Sequence, residues 1–68
     1  MRLDEAIKAH GSEITWEVYH GETTFIVWAS HCSDDVAFKF TAGWTDLETA
    51  VDDVHLQIQN NGPDWARS

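Results

Sequence analysis

Basic side chains are what this chain has least of. Between Ala9 and Ala66 ten carboxylates are met by a single lysine, Lys39, and the full 68-residue sequence carries 12 acidic and 4 basic residues, a formal charge of −8. Such a surface repels phosphate backbones and anionic lipid head groups, which argues against direct nucleic-acid or membrane binding and favours a protein partner with a basic surface. Cysteine is nearly as scarce. Cys32 alone allows no internal disulfide and no CxxC metal or redox site, and it fits a reducing cytoplasm. No run approaches 18 apolar residues, so no membrane span is expected, and MRLDEAIKAH has acids where a signal peptide would be apolar.

The apolar content points the other way from disorder. With 43% hydrophobic residues, four Trp and three Phe, the chain is too apolar for an acidic tail. One domain spanning residues 1–68 is expected. A chain of this length buries only about 60% of its unfolded surface, so stability should be marginal without a partner or a second copy.

Periodicity divides the chain into five elements. Leu3, Ala6, Ile7 and His10 recur at helical spacing, Asp4 precedes Lys8 by one turn, and Gly11 stands where a helix ends, which predicts a helix over 2–10. Ile14, Trp16 and Val18 alternate with Thr15, Glu17 and Tyr19, the mark of a strand over 13–20. Gly21-Glu22 suits a two-residue turn into a second strand over 23–31. Residues 32–35 form a polar loop, and Val36, Phe38 and Phe40 alternate along a third strand over 36–42, ended by Gly43-Trp44. Thr45 with Glu48 forms a capping box for a helix over 46–60, whose Leu47, Val51, Val54 and Ile58 make an apolar stripe with Ala50 beside it. Asn60-Asn61-Gly62-Pro63 stops that helix and leaves a tail over 61–68.

These turns imply a register. Val18 should face Phe25, Trp16 face Val27 and Ile14 face Ala29, while Ala29 faces Phe38 and Val27 faces Phe40. Every apolar member of the three strands then falls on one side, which supports an antiparallel meander. The expected architecture is α+β: an α-β-β-β-α order with a three-stranded antiparallel sheet covered on one face by two helices.

Over nearly the whole chain this order resembles the double-stranded-RNA-binding domain. That resemblance implies a fold and not the RNA-binding role, because the last helix opens Thr45-Asp46-Leu47-Glu48 where that family is basic. The Gly43–Ala50 segment is also similar to small HicB-like antitoxins in its strand-Gly-Thr-acid-Leu-Glu-x-Ala pattern.

Chemistry finds little footing. His10, His20, His31 and His55 lack an H-x-x-x-H helix spacing, and His20 and His31 belong at opposite ends of one hairpin, so they are expected to be ordinary surface or edge residues. His31 and Cys32 are adjacent and therefore point to opposite faces, which argues against a catalytic dyad and for a buried or half-buried thiol. No phosphate loop, nucleophile elbow or EF-hand pattern occurs. The expectation is a protein that is not an enzyme, with no metal and no cofactor.

Three surfaces remain. On the last helix Glu48, Asp52, Asp53, Leu56 and Gln59 lie away from the core stripe, with Leu56 as an apolar residue among acids. Asp34 and Asp35 form a second acidic patch in the loop. A solvated helix face with acids near its positive end is the plain alternative. On the outer sheet face Tyr19, Ile26 and Trp28 form a patch, with Trp28 between Thr15 and Lys39 and Ile26 between Glu17 and Thr41. Either that patch is an interface, or the tail folds over it through Trp65, or the face simply tolerates aromatics.

In size, acidity and lack of catalytic motifs the chain resembles small phage-encoded inhibitors of the anti-CRISPR kind. That resemblance implies a protein-binding inhibitor in the host-cell cytoplasm that blocks a nucleic-acid-binding surface through Glu48, Asp52, Asp53 and Leu56, with Asp34 and Asp35 as a further patch. The competing expectation is an assembly or antitoxin-like module that docks or forms a homodimer through Tyr19, Ile26 and Trp28.

Overall fold

Asp4 and Glu5 in the first turn and Lys8 in the last complement the dipole of the first helix, α1, Leu3–His10. Gly11 ends it at a φ of 95°, donating its N–H to the Ile7 carbonyl at 3.2 Å. This backbone conformation is one that glycine adopts without a Cβ penalty. The computed structural model describes residues 1–67. Beyond α1 come strands β1 (Thr15–His20), β2 (Phe25–Cys32) and β3 (Ala37–Trp44), helix α2 (Leu47–Asn61) and a 3-10 turn at Asp64–Ala66. The sheet is open, in the order β1-β2-β3 with both pairings antiparallel, so the α+β architecture in α-β-β-β-α order is the observed one.

Both hairpin registers differ from expectation by two positions. Val18 faces Val27 and Trp16 faces Ala29; Ala29 faces Phe40 and Val27 faces Ala42. The first turn is a four-residue loop, in which Gly21 N–H reaches the Thr24 carbonyl at 2.9 Å, not a two-residue Gly21-Glu22 turn. The second begins one residue later, because Ser33 N–H bonds the Val36 carbonyl at 2.8 Å and Val36 N–H bonds Ser33 Oγ at 3.1 Å. Side chains alternate with period two, so an even slip changes partners and leaves every face intact. Gly43 and Trp44 do not break β3: they pair with Ile26 and Phe25, and the strand runs to Trp44.

The cap of α2 is Asp46, not Thr45. Its Oδ2 accepts from Thr49 N–H and Thr49 Oγ1, both at 3.0 Å, and no Thr45–Glu48 box forms. Ala50, Val51, Val54 and Ile58 are then buried as the stripe implied. The core adds Ala6, Ile14, Val27, Ala29, Ala42 and Ala66. Half of these ten residues are alanine, so the helix can approach the sheet closely but the buried apolar side-chain mass is modest.

The helix layer is lopsided. α2 packs on β2 and β3, while α1 packs on α2. β1 is thereby left partly bare, and Val18, on the helix-facing side, is 39% exposed. The tail closes the layer from the other end. Trp65 lies against His31 and Phe38, with ring centroids 4.8 and 6.2 Å away, and Ala66 is buried. Trp65 therefore packs on the helix-facing side and does not fold over the outer patch.

Candidate functional site

The acidic side of α2 starts from its register. With one turn every 3.6 residues, burying Val51, Val54 and Ile58 turns Glu48, Asp52 and Leu56 outward, and all three are exposed. Glu48 and Asp52 are one turn apart, about 6 Å along the axis. Asp52 Oδ1 accepts from the Met1 ammonium at 2.6 Å, and that hydrogen bond holds the ammonium pKa above its ordinary value.

Asp53 departs from expectation. It turns from the outward stripe into the seam between α2 and β3, where it is half-buried. Its Oδ2 accepts from Trp44 Nε1 at 2.8 Å and its Oδ1 from Gln57 Nε2 at 3.1 Å, while the same Gln57 nitrogen reaches the Thr41 carbonyl at 3.0 Å. Trp44 was not among the residues singled out from sequence. Its position on the helix-facing side of β3, past the end of the core, brings it beside α2. Trp44, Thr49, Asp52, Asp53 and Leu56 line an open groove of about 250 Å³, with Trp44 47% and Leu56 53% exposed. Glu48 lines a different hollow, with Leu3, Ile7 and Leu47 at the α1–α2 seam.

Asp34 and Asp35 are exposed in the β2–β3 loop. The eight residues of β3 separate that loop from the start of α2, a span of about 23 Å at strand rise. The two acidic patches are distinct surfaces.

On the outer sheet face the slipped register gives Trp28 the neighbours Glu17 and Thr41, and Ile26 the neighbours Tyr19 and Gly43. Trp28 Nε1 donates to Glu17 Oε2 at 2.8 Å. Lys39 faces Ser30 instead of Trp28, yet from this diagonal place its Nζ lies 5.5 Å from the Trp28 ring centroid, so the cation–π contact forms. Tyr19 is 58% exposed and Ile26 half-buried.

The histidines are not all surface residues. His10 is buried, with Nδ1 2.6 Å from the Ala66 carbonyl and Nε2 2.7 Å from His55 Nδ1. A carbonyl only accepts, so His10 Nδ1 carries a proton, and the two rings share one further proton between Nε2 and Nδ1. Burial and the neighbouring His10 push the His55 pKa below its ordinary value, with Asp52 pulling against them. Trp16 stacks on His10, and its Nε1 is buried without a partner among the described residues. Nothing in the spacing of His10 and His55 signalled their pairing, which depends on how α1 lies on α2. Cys32 is exposed at the end of β2, not half-buried, because the strand runs one residue past His31 onto the outer face.

Among the described residues no three His, Cys, Asp or Glu side chains gather to hold a metal ion, and no helix is long and apolar enough to cross a membrane. Comparison with protein-family models, with curated proteins and with solved structures finds no match for this chain.

Proposed function

We propose that this chain is a small non-catalytic protein that binds another protein through the acidic side of α2 and covers a basic, nucleic-acid-binding surface on it. The observation that carries this reading is the helix face itself: Glu48 and Asp52 exposed one turn apart, Leu56 exposed beside them, and Asp53 at the seam. Of the twelve carboxylates, only Asp4, Asp52 and Asp64 have a cationic partner among the described residues, so the negative field is largely uncompensated. Carboxylates about 6 Å apart are on the scale of charges along a nucleic-acid strand, and an apolar anchor among them adds desolvated contact. An inhibitor of the anti-CRISPR kind, working in a host cytoplasm, would use such a face. The same field opposes direct nucleic-acid binding.

The test is affinity capture from a host-cell extract with elution in a salt gradient, run in parallel with an Asp52→Lys/Asp53→Lys variant. The parent should retain a basic protein that salt releases, and the variant should not. Equal retention by the variant sinks the reading.

A second reading is favoured by one observation: Trp65 packs elsewhere, so Tyr19 and Ile26 keep an uncovered outer face. Docking or homodimerisation would then run through Tyr19, Ile26 and Trp28. Sedimentation at high salt and high protein concentration decides it, since a strictly monomeric parent rules out the homodimer.

A further inference from the structure

Two tryptophans in this chain give their indole N–H to a carboxylate. On the outer sheet face Trp28 Nε1 donates to Glu17 Oε2 at 2.8 Å, and the Lys39 ammonium lies 5.5 Å from the ring centroid. On the helix side Trp44 Nε1 donates to Asp53 Oδ2 at the same 2.8 Å. Among the described residues no cation lies over Trp44, and Asp53 has no ion-pair partner. The first pair is complete with its lysine. The second has the same ring and the same acceptor, without the cation.

The physical case for a cation there is direct. An indole attracts cations through its face, and an anion bound to its N–H adds negative charge in the ring plane without covering either face. Trp44 is 47% exposed and forms one wall of the groove of about 250 Å³ whose other apolar member is Leu56. A long basic side chain could lay its aliphatic stem along Leu56 and Trp44 and its charge over the ring near Asp53. Asp52 is already engaged by the Met1 ammonium, which leaves Asp53 to set the sign of the groove.

We infer that the Trp44–Leu56 groove seats a lysine or arginine side chain from a basic partner protein, with Trp44 and Asp53 playing the parts that Trp28 and Glu17 play for Lys39. A second copy is a poor donor. Of four basic side chains, Arg2 and Arg67 are paired and Lys39 is on Trp28, which leaves Lys8 alone to offer, and like charges of −8 repel. This inference rests on the reading of α2 as the docking face and names the side chain which that face grips.

An oligo-arginine peptide is the probe, titrated into the ¹⁵N-labelled full chain at low salt. The Trp44 indole N–H and the Leu56 and Asp53 amides should shift together. Trp44→Leu and Asp53→Asn should each weaken binding roughly tenfold, whereas Trp44→Phe, which keeps an aromatic face, should recover part of the loss. Trp28→Phe should bind as the parent does. Asp53→Asn keeps an oxygen for the indole N–H, so it also serves if a Trp44 variant fails to fold. Binding that shifts the Glu48 and Asp52 amides but is unchanged in Trp44→Leu and Asp53→Asn overturns this inference and leaves the docking face standing. A parent that does not bind the peptide overturns both.

Discussion

The Trp28 and Trp44 pairs use the same hydrogen bond and differ in what the bond joins. Trp28 and Glu17 sit opposite one another on β2 and β1, so the contact lies wholly within the sheet. Trp44 and Asp53 belong to β3 and α2, so that contact ties the sheet to the helix layer. Cross-strand neighbours are held about 5 Å apart by the backbone ladder itself, and the ladder also brings Lys39 within reach. The Trp44 pair has no such ladder behind it. It depends on the seating of α2, and no residue of the sheet or the helix supplies a cation. An identical motif is therefore closed within the sheet and open at the layer boundary, which is where a partner can reach it.

If this dependence is right, loosening the helix layer should disturb Trp44 before Trp28. His10→Ala removes a buried ring that bonds both Ala66 and His55, and it should cost about 3 kcal/mol in urea denaturation, the largest effect expected here. Under native conditions the Trp44 indole N–H should then exchange with solvent faster, and the Trp28 indole N–H should change little. Equal acceleration of both would dissolve the distinction between the two pairs.

Acid should act on the same seam. The His55 pKa is depressed in the fold, so near and below the ordinary histidine value of about 6.5 the unfolded chain binds more protons than the folded one. Its contribution to stability is thus fully present above that value and is lost as pH falls toward the folded one. The urea midpoint should drop between pH 7.5 and pH 5.5, and it should drop less in His55→Gln. A parallel decline in the two proteins would assign the loss to other groups.

Removing each indole compares the pairs directly. Trp28 is half-buried on the central strand between Glu17 and Thr41, whereas Trp44 is 47% exposed at the end of an edge strand. Trp28→Ala should cost about 2 kcal/mol and Trp44→Ala about 1 kcal/mol, from the apolar area each returns to water. The reverse order would mean that the sheet-to-helix bond carries more of the fold than its exposure suggests.

Only one of these pairs could be approached from the sequence. Strand alternation puts Trp28 and Lys39 on one face, and the contact holds despite the register slip because an even slip preserves faces. Element order and the stripe Val51, Val54 and Ile58 were legible for the same reason, being fixed by periods of 2 and 3.6. What periodicity does not encode is how far a helix reaches across a sheet. That distance left Val18 exposed, turned Asp53 into the α2–β3 seam, buried His10 against His55 and seated Trp65 on Phe38. Turn lengths and the Asp46 cap were missed on a smaller scale, since Thr45 and Asp46 are both good cap residues and only backbone geometry selects between them.

The smallest effects separate the pairs by sign. Lys39→Gln removes the cation from a completed site and should cost about 0.5–1 kcal/mol. Asp53→Asn should stay within about 0.5 kcal/mol of the parent, because the lost charge-assisted bond is offset by relief of repulsion in a chain of charge −8. Salt then gives the sharper reading. Screening relieves self-repulsion, so added salt should raise the melting temperature of all three proteins. The rise should be largest in Lys39→Gln, whose net negative charge is greater by one, intermediate in the parent and smallest in Asp53→Asn. Were Asp53→Asn to respond more strongly than the parent, Asp53 would have to be paired with a cation already, and the groove beside Trp44 would not be waiting for one.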